Sequence, residues 1–318
     1  MTTFLIRRLI AMIATLFAVS VTIFLMVRLM TGDIISIIFF GDEAATDEQK
    51  DLVRKQLGID GSYFHQYTHW AGRILFHGDF GNSFQTGQPI SEILGHSIHI
   101  TAELIVLGIV IALLFAIPLG VISAVKRDSA ADYGARLTGL IGISIPGFWL
   151  ATLLIIFTSQ VFNWLPPLLY VSITTDPWKN FTQFVFPALS ISVFTLAIVM
   201  RMLRATMLEV LNLDYVRTAR AKGVPRRTVL IKHALRNALI PVVTVAGFEV
   251  GYLIAGAAVV ETIFNLPGVG FNLLHAISQR DYPLIEATTL LIAAVFVIVN
   301  TLVDLVYGLL DPRISVAD

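Results

Sequence analysis

The segment DYVRTARAKGVPRRTVLIKHALRNALIP, from Asp214 to Pro241, decides how this chain is interpreted. It contains a single acid and seven basic residues: Arg217, Arg220, Lys222, Arg226, Arg227, Lys232 and Arg236. Helix-forming residues precede Gly223, and glycine is favoured just past the end of a helix, while Pro225 suits the first turn of the next one. The segment therefore predicts two helices joined by a tight turn, with a basic rim.

The second predicted helix carries a compact side that another surface could cover. Helical spacing brings together Val229, Leu230, His233 and Ala234. A groove in another protein, an anionic lipid surface and nucleic acid are the three partners that this basic segment could have. A lipid-binding tract needs no turn, whereas a hairpin with small residues such as Ala219 and Ala221 suits insertion into a groove. The pattern favours protein docking over lipid, and lipid over nucleic acid.

The remainder of the chain is too apolar for a soluble protein. Hydrophobic residues make up 56% of the sequence and charged residues 14%, against about 25% charged residues in soluble domains. The composition therefore predicts an all-α integral membrane protein. The chain has no cysteine, which excludes disulfides, thiol catalysis and zinc–thiolate sites.

Six segments are long and apolar enough to span a bilayer, which needs about 20 residues per helix. Four of them carry no charge, and two carry one acid each, at Glu249 and Asp304. The six predicted spans are Leu9–Val27, Leu104–Val125, Leu137–Val161, Phe181–Met200, Ala238–Val260 and Ala287–Leu310.

The distribution of basic residues predicts that both termini are cytoplasmic. An even number of spans places the termini on one side, and cytoplasmic loops carry an excess of Lys and Arg. With the termini inside, fifteen of the 22 basic residues are cytoplasmic. They are the seven of the basic segment with Arg7, Arg8, Lys126, Arg127, Arg136, Arg201, Arg204 and Arg313.

The loops are unequal in length, and no soluble domain is visible. We expect residues 1–318 to form a single membrane domain, with a periplasmic region at 31–97 and a cytoplasmic segment at 201–237. Within the outer region, TDEQKDLVRKQLG has helical spacing at Leu52, Val53 and Leu57, and Thr46 is a candidate N-cap.

Motifs for catalysis are missing from the sequence. It contains neither the Gly-Lys-Ser/Thr of a P-loop nor His-Glu-x-x-His. Ser144 follows Gly142 and Ile143, but the next residues do not complete Gly-x-Ser-x-Gly. An intramembrane serine protease would need a histidine within a span as its base, and no predicted span has one in the middle of the membrane. We therefore expect Ser144 to pack between helices, and we also keep it as a candidate for the transport path.

Glu249 is the acid that the predicted spans place deepest in the membrane. A charge there is costly unless it is paired or hydrated, so Glu249 is a candidate for the transport path. A protonated Glu249 bonded to a neighbouring helix is the alternative, and the sequence leaves both open. A stand-alone secondary transporter would carry acids in several spans, which argues against that class.

Several motifs together resemble one family of transport proteins. The helix–glycine–helix segment resembles the coupling loop of permease subunits of bacterial ABC importers. Within that class, the chain closely resembles the dipeptide/oligopeptide/nickel permease family, specifically the first of its two paired permeases. The motifs are HGDFGNSF, IPLGVISAVKRDS, SIPGFWLA, DYVRTARAKG, HALRNALIPVVT, VVETIFNLPGVG, RDYPLIEA and NTLVDLVYGLLDPRI.

The resemblance implies a type I ABC importer permease fold in the bacterial inner membrane, without a cofactor or a nucleotide site of its own. The implied partners are a homologous second permease, two ATPase subunits that hydrolyse ATP, and a periplasmic solute-binding protein that docks on the outer loops. Nucleic acid is not among them. The residues implied to couple to the ATPases are Tyr215, Arg217, Ala219, Arg220, Ala221, Lys222, Gly223, Val224, Pro225 and Arg226.

This chain departs from the family pattern at a few positions. The family commonly has Pro-Gly-Asp where Thr31-Gly32-Asp33 stands, and an aromatic residue at Leu266. The Glu-Ala-Ala that names the coupling loop falls on Arg217-Thr218-Ala219. The solute does not follow from the sequence: peptides, nickel chelates and glutathione all fit the resemblance.

Overall fold

The structure is a computed structural model that describes residues 2–30, 46–49, 61–167 and 169–310. The helical spacing predicted at Leu52, Val53 and Leu57 lies outside the described residues. The N-cap predicted at Thr46 is confirmed, because the Gln49 N–H donates to Thr46 Oγ1 over 3.3 Å. In return, the Thr46 N–H donates to the Gln49 side chain over 2.9 Å, which completes a capping box.

The described part of the chain is nearly all helical. Its longer helices are α1 Thr2–Met30, α2 Tyr63–His77, α3 Ile90–Val125, α4 Ala130–Ser144, α5 Gly147–Phe162, α6 Pro177–Leu211, α7 Asp214–Ala221, α8 Arg226–Ile263, α9 Val269–Gln279 and α10 Tyr282–Leu310. Within α8, Val229–Leu235 is π-helical.

Five of these helices, α1, α3, α6, α8 and α10, are long and apolar enough to cross a membrane. Each contains one of the predicted spans and extends beyond it, because a span predicted from uncharged runs stops at the first charge. Helices α4 and α5 give a sixth span if the bent pair is counted as one.

The predicted single helix over Leu137–Val161 is broken in the structure. Helices α4 and α5 are bent by 103° at Ile145 and Pro146. Proline lacks the N–H that a helix interior needs, and it pushes the preceding residue into an extended conformation. Ile145 accordingly has φ −88° and ψ 120°.

Contacts between helices define two ends of the molecule. Arg8 of α1 forms an ion pair with Asp304 of α10 at 2.8 Å, and near the other end of both helices Arg28 pairs with Glu286. Helix α1 therefore begins where α10 finishes. We call the end that carries residues 214–237 the hairpin end, and the end that carries α2 and α9 the loop end.

Helices α3 and α6 form the centre of the bundle and pack through small residues. A Cβ at Gly120 of α3 would lie 3.0 Å from the Met200 carbonyl of α6. A Cβ at Gly142 of α4 would come equally close to the Val193 carbonyl. Small residues let membrane helices approach this closely, where van der Waals packing holds them together.

A buried ion pair at the hairpin end joins α4 to α6. Asp132 is fully buried and accepts two hydrogen bonds from Arg204, each of 2.8 Å. Ser123 Oγ donates to the same carboxylate over 2.5 Å, and the Asp128 N–H donates over 3.0 Å. Every lone-pair direction of the carboxylate is thus satisfied where α3 turns into α4.

Removing the Asp132 charge should destabilise the protein strongly. In Asp132→Asn the largely buried Arg204 keeps its charge without a counter-ion, and breaking such a pair typically costs about 3–5 kcal/mol. Thermal unfolding of the purified protein in detergent would measure the change. The matched control is Asp128→Asn, four residues earlier, because its ion pair with Arg127 is exposed and worth at most about 1 kcal/mol. Equal stabilities of the two variants would contradict this assignment.

Candidate functional site

The turn of the hairpin ends α7 in the geometry that the sequence predicted. The Val224 N–H donates to the Ala219 carbonyl over 3.2 Å, and the Gly223 N–H donates to the Arg220 carbonyl over 3.0 Å. This pair of bonds is the Schellman motif, which needs a left-handed residue at its glycine position. Gly223 has φ +78°, and a Cβ there would meet nothing within 4 Å. The backbone conformation, not space within this chain, requires the glycine.

Apolar residues fold the hairpin against its own base. Val216 and Ala219 of α7 and Val229 of α8 are buried together and contact Val224 and Leu211. The predicted compact side of the second helix is confirmed, since Ala234 is also buried and Leu230 and His233 are half-buried. The hairpin is therefore a packed unit.

Polar contacts tie α7 to the π-helical stretch of α8. Tyr215 Oη donates to the His233 carbonyl over 3.1 Å and accepts from the Asn237 amide over 2.7 Å. Nearby, Thr206 Oγ1 of α6 lies 3.1 Å from the Ala238 carbonyl. The second helix of the hairpin does not end before the membrane, since α8 runs unbroken from Arg226 to Ile263.

The hairpin presents its charge outward. All seven of its basic residues are exposed, and Asp214 pairs with Arg217 at 3.5 Å on the surface. A cavity of about 380 Å³ lies between the hairpin and the end of α3, with Arg220 and Arg226 in its wall. The surface of the hairpin is positively charged, and the wall of the cavity beside these charges is mostly apolar.

The predicted coupling residues fall into two groups in the structure. Ala219 is buried inside the hairpin and Val224 is half-buried, so both support its shape. The other predicted residues are all exposed: Tyr215, Arg217, Arg220, Ala221, Lys222, Gly223, Pro225 and Arg226.

The two candidates for the transport path are not brought together. Ser144 is exposed, and its Oγ donates to the Leu140 carbonyl of its own helix over 2.8 Å, so the expected packing of Ser144 between helices is not found in this subunit. Glu249 is half-buried on α8, and its carboxylate lies 3.4 Å from Thr195 Oγ1 of α6.

An apolar strip of α8 flanks Glu249. Phe248, Tyr252 and Val259 are exposed large side chains on one side of α8, and Tyr252 stacks on Phe194 of α6 with 4.3 Å between ring centroids. A cavity of about 250 Å³, lined by this part of α8 and by the break between α4 and α5, adjoins the strip. This side of the bundle is free to receive a partner or a solute.

A fully buried acid at the loop end was missed by the sequence analysis. Glu261 accepts from Thr101 Oγ1 over 2.5 Å and from the Phe271 N–H over 2.9 Å. Thr101 Oγ1 in turn accepts from the Val269 N–H over 2.8 Å. The carboxylate therefore caps the N-terminus of α9, where free N–H groups favour an anion. A side chain on Gly268 would collide with this carboxylate, which explains the glycine.

A second acid, Asp281, joins residues 83–85 to the turn before α10. Asp281 accepts from Ser83 Oγ over 2.5 Å and from the Phe84 N–H over 3.2 Å. Gln85 adds a bond from its side chain to the Gln279 carbonyl over 3.0 Å. The motifs around Ser83 and Asp281 thus form one structural unit at the loop end.

Three other acids are more buried in the protein than Glu249, although they do not bear on the prediction that Glu249 lies deepest within a span. Asp132, Glu261 and Glu286 are all buried, and they lie close to one or other end of their helices with partners in the chain. Each was missed or set aside because it lies outside the uncharged runs that defined the predicted spans. Their contacts are those of structural clamps.

Comparison with protein families matches the whole length of the chain. Residues 116–316 match the family described as binding-protein-dependent transport system inner membrane component, and residues 1–119 match the N-terminal family of the same membrane component. The chain is 38% identical to the dipeptide transport system permease protein DppB of Escherichia coli K12, over 98% of each chain. It is also 38% identical, over 99% of each chain, to a Brucella suis protein named as a peptide transport system permease. A Brucella ovis protein named as a peptide permease is 40% identical over 98% of each chain.

These matches confirm the resemblance seen in the motifs and agree with a multi-pass, nearly all-helical chain. The chain belongs to the family of binding-protein-dependent transport system inner membrane components, as a permease subunit of the ABC importer type.

Proposed function

We propose that this subunit pairs with a homologous permease in the bacterial inner membrane to form a path for a solute delivered by a periplasmic binding protein. The observation that carries the proposal is the packed hairpin at residues 214–237, whose exposed basic surface is joined without a break to membrane helix α8. A hairpin built in this way can pass a movement of a docked ATPase subunit into the membrane.

The hairpin end is proposed to face the cytoplasm, with the pair α4 and α5 counting as the sixth span. The fifteen basic residues assigned to that side in the sequence support this orientation. Helix α1 begins beside the last turns of α10, which supports the proposal that both termini lie on the cytoplasmic side with the hairpin. The loop end, with Ser83 and Asp281 fastened together, would then be available to the binding protein.

Peptides are the proposed solutes. The relatives described above are named for dipeptide or peptide transport, and they match the chain over nearly its full length. A nickel chelate or glutathione is the second candidate, on the wider resemblance alone. The proposed path runs along the apolar strip of α8, where Glu249 is the polar group and Ser144, bonded to its own helix, is the weaker candidate.

Replacing Gly223 should separate the ATPase subunits from the permease. Valine at φ +78° costs about 1 kcal/mol or more, so Gly223→Val should open the turn while the six spans stay inserted. We expect loss of co-purifying ATPase, or hydrolysis that no longer drives uptake. Pull-down of the ATPase and uptake in the same vesicles would measure both.

Two controls define the test of Gly223. Gly87→Val meets the same strain, at φ +69° with nothing within 4 Å, but it lies at the loop end and should leave ATPase retention unchanged. Arg227→Gln removes one exposed charge, which is worth about 0–1 kcal/mol, and should cost far less than Gly223→Val. Normal transport by Gly223→Val together with failure of Arg227→Gln would mean that the segment is an electrostatic patch.

Glu249 should matter for transport more than for assembly. Glu249→Gln keeps a side-chain oxygen beside Thr195 but removes the charge, so uptake should fall several-fold while the complex still assembles. Uptake per assembled complex in proteoliposomes would measure this. Glu209→Gln, an exposed acid at the hairpin end of α6, is the matched control. Normal uptake by Glu249→Gln would assign Glu249 a structural role.

A further inference from the structure

Helix α2 lies beside the membrane-spanning part of α1. The Tyr67 hydroxyl is 2.8 Å from Ser20 Oγ, and the Tyr67 ring makes edge contacts with Phe17 and Phe24. Trp70 packs on the Phe24 ring as well. All three α1 residues belong to the apolar span Ile6–Leu29. Helix α2 therefore sits alongside the span and not above it.

The depth of this contact follows from helix geometry. Arg28, near the loop end of the span, donates to the Gln66 side chain over 3.2 Å. Phe17 is eleven residues earlier in α1, about 16 Å along the axis at 1.5 Å per residue. The α2 residues that make these contacts, Gln66, Tyr67 and Trp70, lie within about one helical turn. Helix α2 therefore crosses α1 near the edge of the apolar zone, with its aromatic side chains reaching into that zone.

One flank of α2 is apolar and uncovered. Phe64 and Leu75 are each 78% exposed, and their separation of eleven residues, three helical turns, places them on one side of the helix. Ala71 lies between them on the same flank. On the side of α1 that α2 contacts, Ile10, Ile13 and Phe17 are exposed large side chains of the span. Helix α2 thus packs on an exposed apolar side of α1.

The opposite flank of α2 carries three basic or polar residues, with one exposed ring, Phe76, beside His69 at the edge of this flank. His69, Arg73 and His77 follow one another at intervals of four residues. Arg73 binds Asp79 over 2.6 Å, and the hydrogen bonds of Asp79 with the Gly81 N–H and with Arg73 lower the pKa of that carboxyl. An apolar flank, a charged flank and aromatic rings between them are the features of helices that lie in a membrane interface.

We propose that α2 is an in-plane membrane helix whose Phe64–Leu75 flank is embedded in the lipid of the leaflet at the loop end. The occupant of this surface is phospholipid, because α2 packs on an exposed apolar side of the span α1, near the edge of the apolar zone. The proposal does not depend on which solute is carried or on which side of the membrane the loop end faces.

Nitroxide labels can measure the depth of each flank, and the natural absence of cysteine leaves no background. Single labels at Phe64→Cys and Leu75→Cys would be compared with one at His69→Cys on the basic flank. The complete transporter is reconstituted in vesicles of phosphatidylethanolamine and phosphatidylglycerol. Power saturation then compares collisions with oxygen, which concentrates in lipid, against collisions with a water-soluble nickel chelate.

The labels at 64 and 75 should collide more with oxygen than with the nickel chelate, and the label at 69 should show the reverse. Higher nickel accessibility at 64 and 75 would overturn the proposal, since the flank would then face water. Low accessibility to both agents at 64 and 75 would also overturn it, because the flank would then be covered by protein. A label at Met26→Cys, an exposed position of the span α1, gives the oxygen preference of a lipid-facing site for comparison.

Discussion

The lipid interior offers no hydrogen-bond partner to a polar group, and this constraint decides where the chain places its buried acids. Asp132 binds Arg204 and Ser123, and Glu286 pairs with Arg28. Glu261 accepts hydrogen bonds from Thr101 and from an N–H group in the first turn of α9. Each of these partners comes from a different helix or turn. Satisfying the acid therefore also fixes how helices meet, at the two ends of the bundle.

Clamping at the ends leaves the middle of the bundle free to be apolar and closely packed. Gly142 lets the backbones of α4 and α6 approach closely there. The half-buried Glu249, with Thr195 beside it, is the exception on α8. A bundle with its polar contacts at the ends and apolar packing between them suits helices that must shift against a partner subunit during transport.

The hairpin extends this design beyond the membrane. Tyr215 joins α7 to His233 and Asn237, so the basic surface is fastened to the first turns of α8. Since α8 continues to Glu261, a displacement of the hairpin acts on the same helix that carries Glu249 and the loop-end clamp. The π-helical stretch and Pro241 are the places where such a helix can bend.

The sequence predicted the features that local rules control. Uncharged runs located the spans, and Gly223 with Pro225 located the hairpin turn. Pro146 is visible in the sequence too, but it lies within an uncharged run that is long enough for one span. The run therefore predicted a single helix, and the break was missed. Glu261 and Glu286 were missed because predicted spans ended just short of them. Their partners, Thr101 and Arg28, are far away in the chain, and only folding brings them together. The lipid-facing flank of α2 could not be predicted, since it depends on where α2 packs against α1.

The central claim is that an ATPase subunit docks on the hairpin at the cytoplasmic side of the membrane. Protection of a cysteine at the tip of the hairpin tests this claim most directly. Lys222→Cys is exposed beside the turn, and Gln88→Cys is an exposed reference at the loop end. An impermeant maleimide should label Lys222→Cys only in inside-out vesicles stripped of ATPase, and adding the ATPase back should block the reaction. Gln88→Cys should react only in right-side-out cells or spheroplasts. Labelling of Lys222→Cys from outside, or labelling that bound ATPase does not change, would contradict the account.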